Sequence, residues 1–107
     1  MNHPEEYLSS DTTAQRPNWL GELEAVHVPG VGWVGDCMGE NTPIDNRYAL
    51  LVGPSRNPYK LRARLWNEKT GTWGTARAYW VGVLYGLDVV DQDDAVRFRD
   101  ALAKGAR

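Results

Sequence analysis

The sequence predicts a mainly β fold closed by one C-terminal helix: a small, strongly bent antiparallel sheet or SH3-like barrel of about five strands. Three observations carry that expectation. Apolar and basic residues alternate from Tyr59 to Trp66, and a second strand-like run follows the turn-forming Asn67-Glu68-Lys69-Thr70-Gly71. Two further alternating runs flank Pro29-Gly30. After Asp91 the period changes to that of a helix, with Ala95, Phe98, Ala101 and Leu102 on one stripe.

Residues 1–17, MNHPEEYLSSDTTAQRP, are polar, contain two prolines and have no strand or helix period, so they are expected to form a disordered tail. Within that tail Tyr7 and Leu8 are the residues that could grip a partner. Residues 18–107 are then expected to form a single β-rich domain, a size that can bury a core without disulfides or metal.

The first hairpin is expected from Glu22–Val28 and Val31–Cys37. A tight turn at Pro29-Gly30 or Gly30-Val31 would put Val26, Val28, Val31, Trp33 and Cys37 on the core face and His27, Val34 and Asp36 on the other. This parity separates Cys37 from His27, the one nucleophile and base pair that invites attention. Gly30-Val31-Gly32-Trp33-Val34-Gly35 has the spacing of a dinucleotide fingerprint, but the following Asp36-Cys37-Met38-Gly39-Glu40 reads as strand and loop. With no helix N-terminus to receive a pyrophosphate, the glycines are assigned to a turn and a bend, and no cofactor is expected. Two histidines and one cysteine give no zinc-ligand spacing, so no metal is expected either.

Gly39–Asn46 is turn-rich, and Arg47–Gly53 is a short apolar strand. Pro54-Ser55-Arg56-Asn57-Pro58 is a stiff loop leading into the central hairpin. Reading Glu68–Gly71 as a four-residue loop pairs Trp66 with Trp73, Arg64 with Thr75, Arg62 with Arg77 and Lys60 with Tyr79. Leu61, Ala63, Leu65, Ala76, Ala78 and Trp80 then face the core. A slip of one residue would send the second strand's set to the opposite face.

Gly82 and Gly86 mark bends in the long second strand. Asp91 is the expected N-cap of a helix over about residues 92–104, with Asp93 and Asp94 in its first turn and Gly105 at its end. Asp93 with Arg97, and Asp100 with Lys104, have i,i+4 spacing.

The net charge of −2 conceals a segregation along the chain. Residues 1–45 hold one Arg against eight acids, whereas residues 46–87 hold seven basic residues against Glu68 alone. Folded as above, the hairpin would give an acidic protein one basic, aromatic face.

That face is the expected partner site: Lys60, Arg62, Arg64 and Arg77 as charged contacts, with Trp66, Trp73 and Tyr79 as aromatic anchors. The chain is therefore read as a non-enzymatic interaction module, a regulator or adaptor for an acidic protein partner. A nucleic-acid-binding β-barrel is the alternative, with the cations on phosphates and the rings stacking bases. A structural or assembly protein is the second alternative. No acid–base or nucleophile constellation marks an enzyme. No run reaches the length of a membrane span and no secretory signal is visible, so a cytoplasmic protein is expected. The single Cys fits a reducing compartment. The excess of Arg over Lys, with frequent Ala, Gly and Val, suggests a high-GC bacterial or phage genome.

Overall fold

The computed structural model describes residues 7–9, 15–38 and 46–105 and resolves the alternating runs into strands. They are β1 (Tyr7–Ser9), β2 (Val26–Val28), β3 (Gly32–Met38), β4 (Asn46–Pro54), β5 (Lys60–Asn67), β6 (Thr72–Trp73), β7 (Arg77–Trp80), β8 (Leu84–Tyr85) and β9 (Val89–Asp91). One helix, α1 (Gln92–Gly105), follows. Short 3-10 turns occupy Asn18–Leu20 and Val81–Val83.

The main sheet is an antiparallel, curled half-barrel five strands wide. β3, β4 and β5 form its middle. β2 and β8 share the outer side of β3, and β6 and β7 share the outer side of β5. The chain passes from β7 on one flank to β8 on the other through the three residues Val81–Val83. A flat sheet would separate those flanks by about 19 Å, roughly four strand spacings. A single 3-10 turn advances only about 6 Å, so the connection requires the curl.

Each sheet face is covered. On one, Val34, Leu50, Trp66 and Trp73 pack with Ala95, Phe98 and Ala101 of α1, joined by Val26, Val28 and Val90. On the other, Cys37, Ala49, Leu51, Leu61, Ala63 and Leu84 pack with Leu20 and Ala25. The expected helix stripe is in place, and Asp91 Oδ1 accepts the Asp93 N–H at 3.0 Å. The spaced charges pair differently from expectation. Arg97 bonds Glu68 in the hairpin loop at 2.7 Å and Asp94 one turn back, because its side chain leans over the tip of the hairpin.

Three other expectations are corrected. Tyr7–Ser9, assigned by composition to the disordered tail, pairs antiparallel with β9, setting Leu8 beside the buried Val90. Residues 1–6 and 10–14 of that tail, and 39–45 of the turn-rich stretch, lie outside the described residues. In the first hairpin Val28 pairs with Gly32, so the loop is the three residues Pro29-Gly30-Val31. The extra loop residue reverses the expected parity: Val26, Val28 and Val34 share the helix face, and His27 lies opposite Trp33 with ring centroids 5.1 Å apart. Glycine is needed at this turn, where Gly30 has φ 79° and Gly32 φ 130°. The third correction, in the central hairpin, decides the site.

Candidate functional site

Along β5 the even-numbered side chains share the helix face, while Leu61, Ala63 and Leu65 face the other core. α1 covers only one end of that even-numbered row. Trp66 is 3% exposed and Trp73 6%, and each ring centroid lies 4.9 Å from that of Phe98. Their indole N–H groups are satisfied within the fold: Trp66 donates to Glu68 Oε2 at 2.8 Å and Trp73 to the Phe98 carbonyl at 3.3 Å. These two rings are core and cannot serve as the surface anchors expected of them. Alternation shows which residues share a face, but not how much of that face a later helix will cover.

The pairing of Trp66 with Trp73 is as expected, and Asn67 pairs with Thr72. Beyond it the register shifts by one. Three residues, Gly74, Thr75 and Ala76, separate Trp73 from Arg77, against two between Ala63 and Trp66 on β5. This is a bulge, and Arg64 supports it: its Nε donates to the Gly74 carbonyl at 2.7 Å and an Nη to the Trp73 carbonyl at 3.4 Å. The expected register would have set Arg62 against Arg77, like charges directly opposed. Instead, Arg62 meets Ala78, Ala63 meets Arg77, Leu61 meets Tyr79 and Lys60 meets Trp80.

The seven expected site residues are thus divided among different places. Trp66 and Trp73 are buried, Arg64 holds the bulge, and Arg77 and Tyr79 have moved to the face of Leu61 and Ala63. Lys60 and Arg62 remain together beyond the end of the helix, joined by Trp80, which the expected register had placed in the core. Trp80 is 49% exposed, with Lys60 Nζ 4.4 Å from its ring centroid. The opposed arginines were the sequence signal that could have exposed this slip.

Arg56 completes the patch. Its loop is fixed by Asn57, whose side-chain oxygen accepts the Tyr59 N–H at 2.8 Å and whose carbonyl accepts the Lys60 N–H at 3.1 Å. Arg56, Lys60, Arg62 and Ala78 line a shallow groove with Pro54. Across β7, on the other face, Arg47, Leu65, Thr75, Arg77 and Tyr79 line a second. Among the described residues no carboxylate pairs with Arg47, Arg56, Lys60, Arg62 or Arg77; the ion pairs there are those of Arg97.

His27 and Cys37 share a sheet face after all, contrary to the expected parity. They are nonetheless apart, since His27 lies opposite Trp33 and Cys37 is four residues farther along β3, about 13 Å of strand. Burial pushes the Cys37 thiol above its ordinary pKa, and the neighbouring Asp36 adds to the shift. That favours the protonated thiol, a poor nucleophile. β3 runs unbroken through Gly35 to Met38, so the glycine-rich stretch leads into strand. Among the described residues no three His, Cys, Asp or Glu side chains gather as metal ligands, and no helix is long and apolar enough to cross a membrane.

Comparison with protein-family models, with curated proteins and with solved structures found no match to this chain.

Proposed function

We propose that this protein is a non-enzymatic interaction module, a regulator or adaptor, which docks an acidic protein partner on the surface formed by Arg56, Lys60, Arg62 and Trp80. The observation that supports this most is Lys60 held over the half-exposed Trp80 ring, beside Arg62, with no carboxylate partner among the described residues. On a chain of net charge −2 such a grouping concentrates positive field where the rest of the protein repels acids. Trp and Arg are also the side chains that most often dominate binding energy at interfaces. Burial of Trp66 and Trp73 leaves Trp80 as the exposed ring of this surface, and the overall acidity of the chain counts against indiscriminate binding to phosphates, which favours a protein partner. A cytoplasmic, reducing location suits the free, buried Cys37.

The test is binding of the full chain to synthetic peptides of graded charge and to single- and double-stranded oligonucleotides at physiological salt. Acidic peptides are expected to bind, and Trp80→Ala or Arg62→Ala to weaken them at least about tenfold with the thermal melt unchanged. Binding of oligonucleotides in preference to peptides, or variants that bind like the parent, would overturn the reading.

A further inference from the structure

β7 is an edge strand, paired with β5 on one side only. The Val81 N–H donates to the Tyr59 carbonyl at 2.9 Å, which fixes the phase of the ladder. With Leu61 opposite Tyr79 and Ala63 opposite Arg77, the backbone groups of Arg77 and Tyr79, with the Val81 N–H, point toward β5. Both backbone groups of Ala78 and the Trp80 N–H therefore point away from the sheet, while the Trp80 carbonyl, at the N-cap of the Val81–Val83 turn, accepts that turn's first hydrogen bond. Both residues are exposed, and among the described residues no strand lies against that edge.

The edge runs between the two cationic grooves. Arg56, Lys60 and Arg62 flank it on the helix side, and Arg47 and Arg77 on the other. A strand added to β7 would send successive side chains alternately into one groove and the other. Both grooves favour carboxylates.

We infer that the partner binds as an extended acidic segment that adds a strand to the free edge of β7, with carboxylates on both faces of that strand. This deepens the proposed function and rests on it. The backbone chemistry selects the occupant: Ala78 offers both an N–H and a carbonyl and Trp80 a further N–H, and a peptide supplies partners for both kinds of group, whereas phosphates can only accept. A second copy of this chain is disfavoured because antiparallel pairing of two β7 edges would bring Arg77, Lys60 and Arg62 against like charges. The shortness of β7 and its Arg77 discourage self-pairing in the same way while leaving an acidic strand attracted.

The experiment adds a short synthetic peptide of repeating Glu-Glu-Val-Val to the 107-residue chain and follows amide hydrogen exchange residue by residue. A Lys-Lys-Val-Val peptide and an oligothymidylate serve as comparisons. Strand addition slows exchange at the Ala78 and Trp80 amides about tenfold or more, since they gain hydrogen-bond partners. Ala78→Pro removes an outward N–H without touching the ladder to β5, and it should weaken the peptide at least about tenfold. Peptide binding that depends on Trp80 and Arg62 but leaves both amides exchanging at their free rates would overturn strand addition while the docking surface stood. Absence of any peptide binding would overturn both. Protection brought by the oligonucleotide, or by protein concentration alone, would overturn the inference in favour of nucleic acid or of a self-paired dimer.

Discussion

Trp73 and Phe98 are joined twice, by ring packing at 4.9 Å between centroids and by the indole N–H on the Phe98 carbonyl. The tip of the central hairpin is thereby fastened to the middle of α1. Phe98 is fully buried among Tyr48, Trp66 and Trp73. Phe98→Ala should lower unfolding free energy by about 3–5 kcal/mol in a denaturant titration. A loss below about 1 kcal/mol would mean that the helix adds little to this core.

Arg64 should behave as part of the scaffold and Arg62 as part of the surface. Arg64→Ala leaves the Gly74 and Trp73 carbonyls of the bulge without their donor and should cost about 1–2 kcal/mol. Arg62→Ala should shift stability by less than about 0.5 kcal/mol. Parallel thermal melts of the two variants compare them directly, and equal effects would contradict the division.

Gly86 and Gly82 make a matched pair. A Cβ at Gly86 would lie 2.5 Å from the Glu24 carbonyl oxygen, which accepts the Leu87 N–H at 2.8 Å, so the backbone would have to move. Gly82 has open space around it and ordinary φ. Gly86→Ala should destabilise by about 1–3 kcal/mol, whereas Gly82→Ala should be nearly neutral by the same assay.

The hydroxyl of Tyr48 donates to Asp94 Oδ2 at 3.0 Å. Burial, then that hydrogen bond and the charge of Asp94, push its pKa from the usual 10 up to about 12. The folded state thus holds the proton more tightly than the unfolded chain does. The resulting stability is complete below pH 10 and disappears as pH rises toward 12. Tyr48→Phe should reduce stability at neutral pH by about 1 kcal/mol and flatten the decline over that alkaline interval. An alkaline decline of equal slope in the variant would assign it to other groups.

Much of this fold was legible because its local signals agree with one another. Leu61, Ala63 and Leu65 alternate as a half-buried strand should, and Asp91 stands where the orphan amides of a helix need an acceptor. The errors share a physical origin: a single unpaired residue changes parity without changing composition. Val31 in the first loop did this to His27, Val34 and Cys37, and the bulge after Trp73 did it to Arg77, Tyr79 and Trp80. Coverage was the other hidden quantity. Nothing near Trp66 announces that Phe98, more than thirty positions later, will close over it.

The short passage from β7 to β8 also bears on the order in which the molecule assembles. β2 to β5, and β5 with β6 and β7, join strands that neighbour one another along the chain, so they can form by successive local closures. β8 must instead return to β3, and β9 to β1, across nearly the whole meander. Loop-closure entropy delays such long-range contacts. The meander should therefore zip first and these two clasps fasten last, making Leu84 and Val90 early sites of opening in the native protein and Leu50 and Leu51 late ones.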